Sequence, residues 1–192
     1  MIARHELPPT GAAAQMAAQL SAGIPTLETE RLILRALRVE DFAHYAEIAC
    51  SDHGRGIGGP MSRDDAWRDF TQYAAGWMLH GHGGWTVELR ETDAVLGFVL
   101  IGLEPGDQEP ELGYIFRAGA SGQGYATEAA IAARAFGFDT LGLPTLVSYI
   151  DRDNTRSVAL AKRIGAQHDG VVAYPDEDSA ADVYRYVKGG TA

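Results

Sequence analysis

Apolar residues recur along this chain with two periods, and the period switches where turn-forming residues intervene. Over residues 31–37, Leu32, Leu34 and Ala36 alternate with Arg31, Ile33 and Arg35, the two-residue repeat of a half-buried strand. A helix is expected over 40–50. Ser62-Arg-Asp-Asp65 reads as a capping box, and behind it Ala66, Phe70, Tyr73, Ala74 and Trp77 fall on one helical face whose aromatics read as core. Residues 85–90 and 95–103, joined through Glu91-Thr-Asp93, form a predicted antiparallel hairpin. A strand over 111–116 leads into a glycine loop. A helix over 125–140 follows, with Ala126, Ala129, Ala130, Ala133 and Phe136 on its close-packing face, and Gly142-Leu-Pro144 stops it. A buried strand at 145–150, a turn and helix ending at Gly165, and late strands at 167–174 and 181–186 complete the chain. The acidic loop Pro175-Asp-Glu-Asp178 lies between the last two.

The order is one strand, two helices, three strands, helix, strand, helix and two strands, with no internal repeat. Strand, helix, strand crossovers demand parallel pairing somewhere, so the fold class is α/β, more closely an α+β mixed sheet covered by helices. At 192 residues and 46% hydrophobic, the chain can bury one substantial core and is too short for two ordinary domains. Residues 1–25 stand apart: Pro8-Pro9, an alanine-rich stretch, then Gly23 and Pro25. Alanine favours a short helix there, and the Pro and Gly boundaries detach it as a packing arm, a homodimer contact or a frayed tail.

Gly122 and Gly124 lie between the 111–116 strand and the helix that begins at Tyr125. Glycines there allow a sharp turn, and the partnerless amides of the first helical turn make an anion site that needs no lysine. A P-loop would require Gly-Lys-Ser/Thr where the chain has Gly124-Tyr125-Ala126, so that reading fails. A dinucleotide fingerprint would want Gly or Ala where Thr127 stands and an acidic residue near Pro144. A plain helix start with a glycine turn remains the alternative.

The run Gln123-Gly-Tyr-Ala-Thr-Glu-Ala129, followed by Asp153-Asn154, Ser157 and Arg163-Ile-Gly-Ala166, resembles the GNAT superfamily of acyl-CoA-dependent N-acetyltransferases, and within it the RimJ/RimL-like branch. The opening Thr26-Leu-Glu-Thr-Glu-Arg-Leu-Ile-Leu-Arg35 is also similar to that branch. The resemblance covers 26–187 as a single domain and leaves 188–192 as a tail. It implies a central twisted mixed sheet flanked by helices, with the fourth and fifth strands splayed and acetyl-CoA in the gap. It places the pyrophosphate over Gly122, Gln123, Gly124, Tyr125, Ala126 and Thr127, and the pantetheine against the main chain of Ile115, Phe116 and Arg117. It makes Asn154 a CoA contact, although an ordinary helix cap explains that residue equally. Ser157 and Arg163 join the cofactor set, and Arg156, Lys162 and Arg163 concentrate positive charge that could meet phosphates or form a solvated helix face.

The chain departs from the family pattern at Gly119, where Gln or Arg is usual, at Ser121, where an aromatic is frequent, and at Ala161, where many members carry a tyrosine acid. Arg117 is a candidate substitute for the missing charge, and Ser157 is the candidate thiolate proton donor, with a cap partner as its alternative. Glu111, Asp176 and Glu177 are the candidate general bases or amine anchors, each also readable as structural. Tyr174 and Tyr184 are candidates for lining an acceptor pocket or the core. The implied reaction is direct acetyl transfer to a primary amine, either a protein N-terminus or a small molecule. The runner-up is a non-catalytic acyl-CoA-binding module, and a further alternative is an interaction domain using residues 1–25 and the acidic surface.

Composition narrows the partners. Sixteen basic against twenty-six acidic residues give a net charge of −10, which disfavours nucleic acid and favours cationic partners. Cys50 is the single cysteine, so an internal disulfide or a cysteine-rich zinc site is excluded and a reducing cytoplasm is the expected location. No run of 18 apolar residues and no signal-like N-terminus occurs, which implies a soluble protein away from membranes. His80 and His82 lack the spacing of a metal site, Gly119-Ala-Ser-Gly-Gln123 misses a nucleophile elbow at its last residue, and no metal is expected.

Overall fold

The computed structural model describes residues 2–173 and 180–189. Eight strands form one sheet: β1 (Leu27–Glu28), β2 (Leu32–Ala36), β3 (Gly84–Leu89), β4 (Ala94–Gly102), β5 (Glu111–Phe116), β6 (Leu146–Ile150), β7 (Ala166–Ala173) and β8 (Ala180–Tyr186). Their spatial order is β1-β2-β3-β4-β5-β6-β8-β7. The helices are α1 (Gly11–Ser21), α2 (Phe42–Ala49), α3 (Arg63–Leu79), α4 (Tyr125–Ala135) and α5 (Thr155–Arg163). The short β1 was not foreseen and shifts the strand count by one, so the strands expected to splay are β5 and β6. Among the described residues, no helix is long and apolar enough to cross a membrane.

Neighbouring strands pair antiparallel except β5 and β6, which α4 connects. That crossover is what permits parallel pairing. The parallel ladder holds a single register pair, Glu111 with Val147. Val147 N donates to Pro110 O at 3.1 Å, and Ser148 Oγ then reaches Leu112 O at 2.6 Å. Beyond that point the two strands part, and the splay implied by the family resemblance is present.

The two faces of the sheet carry separate cores. Val99 and Ile101 of β4 join Leu32, Leu34, Trp85 and Val87 under the alanine face of α4, where Ala129, Ala130 and Ala133 are fully buried. Their alternate neighbours Phe98 and Leu100 pack with Phe42, Tyr45, Phe70 and Tyr73 of α2 and α3. This is the period-two alternation of a sheet covered on both sides. Ser62 caps α3 as its sequence predicts, accepting from Asp65 N at 3.1 Å. The helix expected over 125–140 keeps that extent but widens into a π turn over Phe136–Thr140. In the 1–25 arm, α1 has no buried residue, yet Glu6 is buried against Arg63 at 2.7 Å and His5 packs on Trp67.

One expectation from the alternation is corrected. Arg35 sits on neither an open nor a solvated face: it is 8% exposed and bonded to Asp41 and Glu88 at 2.7 Å each. Two carboxylates from neighbouring elements replace water around the guanidinium, so burial becomes tolerable.

Candidate active site

The glycine loop has the conformation its sequence requires. Gly122 and Gly124 adopt φ of 78° and 80°, a left-handed region that costs an L side chain roughly 1–2 kcal/mol. A Cβ at Gly122 would meet nothing within 4 Å, so conformation, not crowding, selects glycine there. The first α4 bond runs from Glu128 N to Gly124 O, and no side chain caps the helix. The amides of Tyr125, Ala126 and Thr127 are therefore without helical partners.

Arg31 fixes this loop from outside. Its Nη1 donates to Gln123 O at 3.0 Å, its Nε to Glu128 Oε2 at 2.7 Å, and its guanidinium lies 4.6 Å from the Tyr125 ring centre. Thr29 Oγ1 also donates to Glu128 at 2.6 Å. The β1–β2 turn thus locks the loop to the edge of the sheet, a role the sequence did not reveal.

Along β5 the hydrogen-bond parity decides which main-chain groups are free. Arg117 N donates to Leu96 O at 2.9 Å, one step past the Gly97–Phe116 register pair. In an antiparallel ladder such residues alternate, so Ile115 and Arg117 spend their amides and carbonyls on β4 while Tyr114 and Phe116 turn theirs to the gap. The Arg117 side chain bonds Glu47 at 2.9 Å and Val95 O at 3.2 Å, so its charge is committed to α2 rather than free to replace the one missing at Gly119.

Two cavities meet in the gap. The outer one, about 850 Å³, runs past Phe116, Ser121, Ala126, Asn154 and Arg156. The inner one, about 410 Å³, lies among β5, β6, α3 and the loop after β4. Tyr114, Ile115, Asp151, Asn154 and Ser157 line both, as do Gly56 and Ile57 of the 3-10 turn Asp52–Ile57. A Cβ on Gly56 would lie 2.5 Å from Asn154 Nδ2, so this turn packs directly on the Asn154 side chain at the start of α5.

Asn154 is a helix cap, its Oδ1 accepting from Ser157 N at 3.2 Å, and the residue also lines both cavities. Ser157 is at the same shared wall, its carbonyl accepting from Tyr114 OH at 3.1 Å. Arg163 reaches Thr127 Oγ1 at 3.4 Å, tying α5 to the first turn of α4. Lys162 instead lies over the Tyr184 ring, 5.9 Å from its centre, and Tyr184 is core rather than pocket lining. Asp176, Glu177 and Tyr174 lie outside the described residues.

The electrostatics of the two cavities differ. Arg55, Arg152 and Arg156 line the outer one together with Asp52, Asp151 and Asp153. The inner one is lined by Asp69, Glu104, Asp107, Glu111 and Asp151, and by no Lys, Arg or His among the described residues. Burial pushes the Glu111 carboxyl up to about 8, and repulsion from Glu104 and Asp107 adds to it against the bond from Tyr149 N. Burial likewise holds Asp69, Glu104 and Asp107 above the ordinary carboxylate range. Asp69, Glu104 and Asp107 were missed in the sequence, as were the lining residues Tyr45, Tyr73 and Tyr114. For Asp69 a signal existed, because it falls three residues after Ala66 and one before Phe70, inside the apolar stripe of α3.

Comparison with known proteins agrees with this geometry. The acetyltransferase (GNAT) domain model matches residues 31–167. A Bacillus licheniformis protein named uncharacterized N-acetyltransferase p20 is 30% identical over 158 residues, spanning 77% of this chain and 85% of that one. The crystal structure of an acetyltransferase from Agrobacterium tumefaciens strain C58 superposes with a TM-score of 0.80 at 42% identity, covering 86% of this chain and 95% of that one. Mycobacterium smegmatis RimJ, solved in complex with CoA-disulfide, superposes with a TM-score of 0.67 at 19% identity over 85% of this chain and 87% of that one, a likeness of fold.

Proposed function

Since this chain belongs to the GNAT acetyltransferase family, we propose that its outer cavity holds acetyl-CoA, its inner cavity holds a primary amine, and the acetyl group passes directly between them. The observation that carries this reading is the shared wall of Tyr114, Ile115, Asp151, Asn154 and Ser157. An anion-seeking helix end lies on one side of it and uncompensated carboxylates on the other.

The donor's requirements fit the residues present. Partnerless amides of Tyr125, Ala126 and Thr127 would receive the pyrophosphate, each favourable helix-end contact contributing about 0.3–2 kcal/mol. Arg156 at the outer cavity adds positive charge there. The gap-facing main chain of Tyr114 and Phe116 would pair with the pantetheine amides, with Ile115 and Arg117 setting the path of the strand. Acetyl-CoA supplies the activated acyl group.

Glu111 is the proposed base. The incoming ammonium gives one proton to the Glu111 carboxylate, and the freed nitrogen lone pair attacks the thioester carbonyl. A C–N bond forms and the C–S bond breaks; the Ser157 hydroxyl is the proposed donor of a proton to the departing thiolate, and the nitrogen's second proton restores that hydroxyl. A protein α-amine near pKa 8 costs about 1.4 kcal/mol to deprotonate at pH 7, and an alkyl amine near 10.4 about 4.6 kcal/mol, so the base matters more for the second.

Incubation with acetyl-CoA and a panel of primary amines, read by thiol release and by mass of the acetylated product, tests the reading. Amine-dependent thiol release with a matching acetyl adduct is expected. CoA binding without turnover on any amine would instead favour the non-catalytic acyl-CoA module.

A further inference from the structure

Resting on the acyl-transfer reading, we propose that the inner cavity selects a small acceptor carrying a second positive charge, a linear diamine or polyamine, and that Asp69 and Glu104 determine this specificity.

The carboxylates come from four separate parts of the chain: Asp69 from α3, Glu104 and Asp107 from the loop after β4, Glu111 from the start of β5, and Asp151 from just after β6 at the wall shared with the outer cavity. Elsewhere in the molecule acidic groups at interfaces between elements are met by arginine, as in Asp41 with Arg35, Glu128 with Arg31, Glu6 with Arg63 and Glu109 with Arg185. Around the inner cavity they are met by neutral donors. Tyr45 OH and Gln72 Nε2 donate to Asp69, the latter at 3.1 Å, and Tyr73 OH donates to Glu104 at 2.8 Å. Neutral donors fix the orientation of a carboxylate and leave its charge to be matched by a ligand.

The spread of these groups indicates the shape of that ligand. No three acidic, histidine or cysteine side chains among the described residues are gathered as a metal ion would need. The acids are instead distributed around a cavity of about 410 Å³, a volume suited to a small organic molecule. Ile57, Met61, Leu100 and Pro105 supply apolar wall between them, which suits a methylene chain. Glu111, Asp69 and Glu104 all line the inner cavity alone; Glu111 opens the strand whose Tyr114 and Ile115 form part of the wall shared with the outer cavity, and Asp69 and Glu104 come from α3 and the loop after β4. One ammonium can then meet the reacting end while the other is held by Asp69 and Glu104. Burial keeps those two carboxyls reluctant to ionise alone, and Asp69 and Asp107 add repulsion on Glu104. A second cation relieves both effects.

Putrescine and n-butylamine share a four-carbon chain and differ in one ammonium, so their kcat/KM ratio isolates the second charge. A ratio of at least about ten in favour of putrescine is expected, corresponding to about 1.4 kcal/mol. In the isosteric double variant Asp69→Asn, Glu104→Gln the ratio should fall to within about twofold of one, with calorimetry showing CoA affinity retained. If the double variant does not fold, Glu104→Gln alone carries the same comparison, with at least a threefold loss of the ratio expected. Equal use of the two amines by the wild type, a ratio that survives the substitutions, or faster acetylation of a peptide N-terminus with uncharged side chains would each overturn the inference alone. No turnover with any amine would overturn the acyl-transfer reading and this inference with it.

Discussion

Glu111→Gln is expected to lower kcat by about 10²- to 10³-fold, in the range ascribed to a positioned general base. The substitution keeps the shape of the side chain and an acceptor oxygen for Tyr149 N, which lies 3.2 Å from Glu111 Oε1 in the wild type. What it removes is the ability to hold a proton. Burial raises that carboxyl to about 8, with Glu104 and Asp107 adding repulsion, so it takes up a proton readily near neutral pH. The ionised form is the base, and wild-type kcat at saturating amine should therefore rise as pH increases through about 8. With the same acceptor in both enzymes, the acceptor's own ionisation is common to the two profiles. Dividing one profile by the other leaves a limb near pH 8 that belongs to Glu111. A variant profile that keeps this limb would exclude Glu111 as the base.

The same residue links pH to stability. From its ordinary value of 4.5 up to about 8, the folded protein keeps a proton on Glu111 that the unfolded chain has released. Its stabilising effect is full below the unfolded value and is lost as pH rises through the folded one. Between pH 5 and 8 the thermal midpoint of the Glu111→Gln variant should accordingly decline less than that of the wild type.

Arg35→Leu is expected to be the most destabilising single change considered, at about 3–5 kcal/mol. Arg35 meets Asp41 through Nη1 and Nη2 at 2.7 and 2.8 Å, Glu88 through Nε at 2.7 Å and Ala36 O at 2.9 Å. Asp41 also accepts from Thr86 Oγ1 at 2.7 Å and Arg38 N at 2.8 Å, which joins β2, β3 and the turn into α2. Leucine fills much of the space and leaves two carboxylates without a cation in a site where Arg35 and Asp41 are 8% and 3% exposed. For a chain of this length the loss corresponds to a fall of roughly 6–20 °C in Tm. Adding Asp41→Asn and Glu88→Gln removes the orphaned charges and should recover most of it. A fall under about 2 °C for Arg35→Leu would show that water can replace the guanidinium.

The elements were legible because their ends are chemically marked. Ser62 caps α3, Gly124 opens α4, and the strands at 85–90 and 95–103 are shifted from the observed β3 and β4 by one residue at each end, while 111–116 matches β5. The conformation of the glycine loop was equally readable, because left-handed glycines before an alanine-rich helix constrain the backbone locally. Alternation misplaced Arg35, since a strand's period says which side a residue faces and nothing of the carboxylates that await it there. The acceptor side was the least legible part. Glu104 and Asp107 lie in an irregular loop with no period, and they meet Asp69 across a long sequence separation set by the sheet. The closing turn around Gly56 was similarly hidden, as its fit against Asn154 exists only once α2 and α5 are in place. In α3, however, Asp69 broke the apolar stripe, and a carboxylate on a buried helical face is a readable sign of a polar site.

The central claim is that the α4 amides and the splay between β5 and β6 hold the acyl donor. Calorimetric titration of CoA into the wild type and into the double variant Gly122→Val, Gly124→Val tests it most directly. Valine cannot adopt the left-handed backbone of either glycine without strain, so the loop must re-route while the buried cores on the two faces of the sheet remain. CoA affinity is expected to fall at least about thirtyfold in a variant whose circular dichroism matches the wild type. Equal affinity in the two proteins would contradict the claim.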